Sequence, residues 1–127
     1  MALVTLNGPA FPITATNTYV LGDADNGAVS TWAIHIVATG FTGTVIPKAR
    51  SRSIGGISVT TPAFLEIPYL PLVLNGSVGT YGTGSAVDIT DTSIILVQAS
   101  GLSIALDCTV AAGSLTVYAV PCLGAAA

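Results

Sequence analysis

Two long stretches of this chain alternate apolar residues with small or polar ones. Between residues 28 and 38, one set of alternate positions holds Trp32, Ile34, Ile36 and Ala38, and the other holds Thr31, Ala33, His35 and Val37. Between residues 102 and 110, one set holds Leu102, Ile104, Leu106, Cys108 and Val110. A period of two places alternate side chains on opposite faces of a β-strand, whereas a helix needs a period near 3.6. The sequence therefore predicts half-buried strands, with Trp32 as a core anchor.

Turn-forming residues separate further strand-like segments. The predicted strands are 2–6, 17–21, 28–38, 41–46 with a continuation towards 52, 57–60, 86–90, 93–98, 102–110 and 115–120. Glycines predict tight turns at Gly40 and at 111–113, so that the last three strands form an antiparallel meander in which Cys108 lies near Thr116. Pro47 cannot donate to a ladder and predicts a bulge or an edge position. Residues 64–74 are expected to be extended and irregular, and 75–85 a glycine-rich loop.

Many short strands with regular turn signals, and no helical stripe, are typical of an all-β fold. We expect an antiparallel β-sandwich, either jelly-roll-like or immunoglobulin-like. The length of 127 residues suits one hydrophobic core. No linker-like segment divides the chain, so residues 1–127 are predicted to form a single β-sandwich domain.

Charged residues make up only 7% of the chain, whereas hydrophobic residues make up 51%. An ordinary soluble domain is about 25% charged. The longest apolar run is far shorter than the roughly 20 residues of a membrane span, so the hydrophobicity predicts burial in sheets and no membrane contact. Three basic and six acidic side chains cannot solvate the whole surface. We expect other subunits of an assembly to cover part of it.

The charge and the N-terminal sequence exclude further classes. A net charge of −3 disfavours nucleic-acid binding, which usually needs a basic face. The N-terminal residues lack the basic segment and the apolar stretch of a signal peptide, which predicts synthesis and use without export. The two cysteines, Cys108 and Cys122, are too few for a disulfide framework. Two free thiols are predicted, and the alternative, a bridge between them, requires a different strand arrangement.

No pattern indicates catalysis or a cofactor. His35 is the only histidine, and no nucleophile motif accompanies it. The segment Asp23-Ala-Asp-Asn-Gly27 lacks the spacing of a calcium loop and predicts a turn. Gly79-Thr-Tyr-Gly-Thr-Gly84 lacks the lysine of a phosphate-binding loop. We therefore expect a protein that is not an enzyme and that has no catalytic residues, cofactor or metal.

The cations are clustered. Lys48, Arg50 and Arg52 occupy alternate positions and would share one face of a strand. One interpretation is a solvated strand edge that resists edge-to-edge aggregation. The other is an inter-subunit contact to an acidic surface of a neighbour.

Two segments carry a resemblance to a known group of proteins. They are Thr-Gly-Phe-Thr-Gly-Thr-Val at 39–45 and Asp-Thr-Ser-Ile-Ile-Leu-Val-Gln-Ala-Ser-Gly-Leu-Ser-Ile-Ala-Leu-Asp-Cys-Thr-Val-Ala-Ala-Gly-Ser-Leu-Thr-Val-Tyr-Ala-Val at 91–120. With the strand before them, they resemble small β-sandwich virion proteins of tailed bacteriophages. The resemblance implies a capsid decoration (cement) protein, frequently a homotrimer, that binds the major capsid protein. It further implies synthesis in the host cytoplasm and a place on the phage head surface.

A tail- or fibre-associated module that binds a carbohydrate or a receptor is the alternative. Such modules usually display exposed aromatic side chains. The candidates are Tyr69, Tyr81 and Tyr118. Tyr81 lies in the glycine-rich segment and is the foremost candidate for a ligand-contact loop.

Overall fold

The computed structural model describes residues 3–5, 11–21, 29–51, 63–78, 88–99 and 102–123, and these residues form an all-β structure. Nine strands belong to one hydrogen-bonded sheet. The strands are β1 (Leu3–Thr5), β2 (Phe11–Ile13), β3 (Asn17–Val20), β4 (Val29–Ser51), β5 (Leu65–Glu66), β6 (Leu70–Leu74), β7 (Ser77–Val78), β8 (Ser93–Gln98) and β9 (Leu102–Leu123). The part of the chain described here contains no helix of the length and hydrophobicity needed to cross a membrane.

The sheet has the order β1-β3-β9-β4-β8-β6-β7, with β2 beside β9 and β5 beside β4. Strands β1 and β3 are parallel, and the other pairs are antiparallel. The predicted all-β, mainly antiparallel class is therefore confirmed. Whether the layers form a jelly-roll-like or an immunoglobulin-like sandwich stays a prediction, as does the single domain.

Strands β4 and β9 are the long central strands, with 23 and 22 residues. They pair antiparallel from Val29 opposite Leu123 to Ser51 opposite Leu102. The tight turns predicted at Gly40 and at 111–113 are therefore wrong, because the chain continues through both sites.

The predicted C-terminal meander is wrong for the same reason. Residues 102–110 and 115–120 belong to one strand and do not pair with each other. Cys108 lies opposite Val45 on one side and Asn17 on the other, not near Thr116.

Both long strands bend where the turns were expected. The ladder between β4 and β9 shifts register between Thr39 and Gly43. Gly113 has a φ of 73°, and a Cβ added there would lie 2.2 Å from the carbonyl oxygen of Gly40. Glycine marks bulges as well as turns, so the sequence signal was correct for an irregularity but not for its kind.

The bend changes which residues of β4 face the core. Before it the buried side chains are even-numbered, as at Ile34 and Ile36, and after it they are odd-numbered, as at Val45 and Ala49. The same change occurs in β9, from Cys108 to Leu115. The change of phase keeps apolar side chains pointing inward on both sides of the bend.

The bend divides the strand pair into two halves. The uncharged half comprises residues 29–39 and 114–123, and the charged half comprises residues 42–51 and 102–112. Both halves contribute to one hydrophobic core. Its buried members are Ile13, Tyr19, Leu21, Trp32, Ile34, Ile36, Val45, Ala49, Tyr69, Ile89, Ile95, Val97, Ala99, Ile104, Leu106, Cys108, Leu115 and Val117.

The remaining elements agree in part with the predictions from the sequence. The strand at 93–98 is confirmed in its bounds, and the irregular stretch at 64–74 contains the short strands β5 and β6. Pro47 lies within β4 without a bulge, and its carbonyl accepts a hydrogen bond from the Ile67 amide at 3.2 Å. Predicted strand 57–60 lies outside the described residues. In segment 86–90, Ile89 forms an isolated bridge to Val45.

Candidate interaction surface

An uncharged outer surface covers one side of the sheet in the uncharged half. Cross-strand partners place side chains on the same face, so the register identifies its members. The uncharged face consists of Pro12, Thr31, Ala33, His35, Val37, Leu70, Val73, Val78, Ile94, Leu96, Gln98, Thr116, Tyr118, Val120 and Cys122. None of these residues is Asp, Glu, Lys or Arg, and none is fully buried.

The apolar side chains of the uncharged face are exposed at two of its margins. On β9, Val120 is 55% exposed and Tyr118 is 42% exposed. On β7, Val78 is 90% exposed. Isolated apolar side chains on a surface are ordinary, whereas large contiguous apolar areas are typical of interaction sites. Tyr118 and Val120 are neighbours on one face of β9, so this margin is a candidate for such a site.

His35 lies within the uncharged face, beside Tyr118. The two residues are cross-strand partners, and their ring centroids are 5.9 Å apart at an interplanar angle of 41°. His35 is exposed, as its predicted place on the less apolar side of the strand requires. The pair places two exposed rings side by side on the neighbouring strands β4 and β9.

A cavity of about 280 Å³ opens at the margin formed by β6 and β8. It is lined by Thr31, Pro68, Tyr69, Leu70, Leu96 and Gln98. Four of these residues, Thr31, Leu70, Leu96 and Gln98, also belong to the uncharged face. The cavity therefore opens on the uncharged face near β6, whereas the exposed Val120 lies on β9.

The charged half has a different outer surface. The Lys48 ammonium lies 2.8 Å from the Asp107 carboxylate, and the two side chains are 27% and 24% exposed. Asp107 also accepts a hydrogen bond from the Thr18 hydroxyl at 3.4 Å. Glu66 on β5 is the cross-strand partner of Lys48. Together with Arg50, these groups place two cations and two anions on the described part of this half.

The predicted cation cluster lies on the charged half. The Arg50 guanidinium stands 4.2 Å from the centre of the Phe64 ring, a cation–π contact. Arg52 lies outside the described residues. The inter-subunit role of Lys48, Arg50 and Arg52 stays a prediction, and the first two already have partners within the chain.

The three tyrosines that are candidates for ligand contact differ in exposure and in whether the structure describes them. Tyr69 is 3% exposed and belongs to the core, so the prediction that it is available as an exposed aromatic is wrong. Tyr81 lies outside the described residues. Tyr118 is the candidate whose ring the described structure exposes.

The cysteines are both free, as predicted, but their environments differ. Cys108 is buried in the core, and Cys122 is exposed on the uncharged face. Burial, with a smaller effect of the adjacent Asp107 carboxylate, raises the pKa of the Cys108 thiol to about 12. Cys108 therefore stays protonated and unreactive at neutral pH, whereas Cys122 is open to reagents.

The polar groups around 75–93 are used for local structure. The Asn75 side-chain oxygen accepts hydrogen bonds from the amides of Thr90 at 2.7 Å and Asp91 at 3.1 Å. Asp91 in turn accepts one from the Thr92 amide at 2.7 Å. Within the described ranges, no three His, Cys, Asp or Glu side chains gather as a metal site would require. Asp23 and Asp25 lie outside those ranges.

No family model matches the chain, and no curated protein or solved structure is similar enough to it to count as a match.

The uncharged face could not be recognised as one surface from the sequence. The alternation placed Thr31, Ala33, His35 and Val37 on one side of a strand, and that placement is confirmed. The partners from β9 were missed because residues 115–120 were expected to pair with 102–110. The available signal was the lack of any charge from residue 114 to residue 123.

Proposed function

We propose that this protein is a structural virion protein, a capsid decoration (cement) protein that stabilises a phage head through contacts between subunits. The observation that carries the proposal is the uncharged face. It extends across β9, β4, β8, β6 and β7 and has the exposed side chains of Tyr118 and Val120 on β9. Burying such a surface against a neighbour is favourable, at roughly 25 cal/mol per Å² of apolar area before ordering costs. Such a contact would stabilise the shell without any catalytic step.

The proposed partners are other copies of this chain, as a homotrimer, and the major capsid protein. The proposed location is the head surface of the virion, after synthesis in the host cytoplasm. The resemblance of residues 39–45 and 91–120 to small phage virion proteins supports this assignment, and so does the scarcity of charge. No nucleic acid, membrane, cofactor or catalytic step enters the proposal.

Reconstitution with shells that lack this protein tests the proposal. Purified protein is mixed with the shells, the mixture is sedimented, and the bound protein is counted per shell together with the shells' melting temperature. We expect saturable binding and a higher melting temperature. Binding should disappear in Val120→Asp and persist in Leu65→Asp, because Leu65 is also exposed, at 69%, but lies on β5 beside the charged half. Absence of binding by the unaltered protein would refute the cement assignment.

A carbohydrate- or receptor-binding module of a tail or fibre is the second candidate. It is favoured by the exposed ring of Tyr118 beside His35, because sugars stack on exposed aromatic faces. A glycan array with the unaltered protein, Tyr118→Ala and Tyr81→Ala tests it. A signal that either substitution abolishes would support this module over the cement protein, whereas a blank array would exclude the glycans it carries.

A further inference from the structure

We infer that the uncharged face binds the same face of a second copy of this chain about a two-fold axis parallel to the strands, with Val120 of each copy over the Leu70 cavity of the other. The inference rests on the proposed function insofar as both treat the uncharged face as an assembly contact. It assigns this face to a contact with another copy and adds the symmetry and the residues that meet. A two-fold contact is isologous and is therefore separate from any three-fold contact of the same subunit.

The charge distribution favours a second copy as the partner. Along β4 and β9 the same two strands carry Lys48 and Asp107 on the outer surface of the charged half and no such residue on the uncharged face. A partner with a charged surface would leave its own charges unpaired there, which is costly when water is excluded. A second uncharged face brings no unpaired Asp, Glu, Lys or Arg into the contact.

The register of the sheet favours the two-fold arrangement. Val120, Ala33, Leu96 and Leu70 form one row across β9, β4, β8 and β6. Rotation about an axis parallel to the strands exchanges the two ends of this row, so Val120 of one copy lies over Leu70 of the other. The exposed Val120 side chain of each copy thus lies over the cavity beside Leu70 of its partner. His35 comes over the strand β8 of the partner and not over a second His35.

The area of the face limits how much surface the contact can bury. Each outward residue covers about 4.8 Å by about 6.7 Å of the sheet, so the residues of the face together cover roughly 500 Å². Two copies then bury roughly 1,000 Å², which is below the about 1,200 Å² of a typical stable interface. The dimer should therefore be reversible in dilute solution and become occupied when copies are concentrated on a common assembly.

Sedimentation equilibrium of the full chain tests the inference, over a range from about 10 µM to about 1 mM. The unaltered protein should change from monomer to dimer across this range. Val120→Asp should remain monomeric, and Leu65→Asp, the same kind of change away from the face, should associate like the unaltered protein. Tyr118→Ser, a milder change, should weaken association by about tenfold or less, equivalent to about 1.4 kcal/mol.

Three results would overturn the inference. They are a monomer throughout the range, an oligomer other than a dimer that Val120→Asp disrupts, and association that Leu65→Asp abolishes but Val120→Asp does not. Far-ultraviolet circular dichroism and melting curves establish that each variant is folded, which the exposure of Val120 at 55% leads us to expect. A chain that stays monomeric but binds shells through Val120 leaves the cement function intact. A dimer that does not bind shells leaves the two-fold contact intact.

Discussion

The two halves of the β4–β9 pair have equivalent inner faces and dissimilar outer faces. Inward, Ile34 on one side of the bend and Ile104 on the other are both buried in one core. Outward, the charged half carries Lys48 and Asp107 at 2.8 Å, whereas the uncharged half carries exposed Tyr118 and Val120. Burial in one core explains why the inner faces are alike. The difference between the outer faces is not explained by the core, and the proposed assembly contact of the uncharged face would account for it.

The largest expected effects test whether the inner faces are equivalent. Ile34→Ala and Ile104→Ala each remove a buried side chain and leave a cavity. Each should lower the free energy of unfolding by about 2–5 kcal/mol. Urea denaturation of both variants provides the measurement. If one half lost much less than the other, the two halves would not share a single cooperative core.

The bend that separates the halves is tested by a pair of glycine substitutions. Gly113→Ala combines a φ of 73° with a clash against the Gly40 carbonyl and should lower the free energy of unfolding by roughly 3 kcal/mol. Gly40→Ala has a similar φ of 57° but meets no atom within 4 Å, and it should cost only about 1 kcal/mol. Equal losses in denaturation experiments would show that close approach of the strands does not fix the bend.

Alkaline pH should destabilise the charged half through Cys108. Its thiol has a pKa of about 12 when folded and 9.0 as the reference value, so the unfolded chain releases the proton first. The contribution of the buried, protonated Cys108 thiol to the free energy of unfolding is fully present below pH 9. It is lost progressively between pH 9 and about 12, by up to about 1.4 kcal/mol per pH unit. Urea denaturation at pH 8 to 10.5 measures the slope.

Variants isolate that effect from other groups that titrate at high pH. Cys108→Ala should show a shallower loss of stability above pH 9 than the unaltered protein. Cys122→Ser, at the exposed thiol, should show the same loss as the unaltered protein. Identical slopes in all three proteins would contradict burial of a protonated Cys108 thiol.

The smallest effect is expected for the ion pair of the charged half. Lys48 and Asp107 are both partly exposed, so water and salt screen their attraction. A double-mutant cycle with Lys48→Met and Asp107→Asn should give a coupling free energy below about 1 kcal/mol that decreases in high salt. A coupling free energy well above this value would mean that something outside this chain, such as another subunit, also covers the pair.

The local structure of single strands could be predicted from alternation, but their connections could not. The strand 93–98, the core position of Trp32 and the outward position of His35 all followed from a period of two. The continuity of β4 and β9 did not follow, because glycine in a strand is compatible with a turn or with a bulge. Whether a glycine forms a turn or a bulge depends on whether a partner strand continues opposite it. Here β9 continues beside β4, with Gly113 next to Gly40, and this pairing is a long-range property.

The sequence predicts that the surface is poor in charge, but it does not locate the candidate surface. The scarcity of charge predicted that part of the surface would be covered, but it did not say which part. The cluster Lys48, Arg50 and Arg52 points to the charged half, where Lys48 and Arg50 have partners within the chain, and its inter-subunit role stays a prediction. The burial of Tyr69 does not follow from the sequence, because an extended segment with two prolines gives no sign of which side chain points inward.

The most direct test is hydroxyl-radical footprinting of the chain in solution and in the assembled particle, with modified residues identified by mass spectrometry. In dilute solution, Tyr118 and Val120 should be modified together with Leu65. In the particle, Tyr118 and Val120 should be protected while Leu65 beside the charged half stays modified. Protection of Leu65 and the charged half, with Tyr118 and Val120 still modified, would contradict the assignment of the uncharged face as the assembly contact.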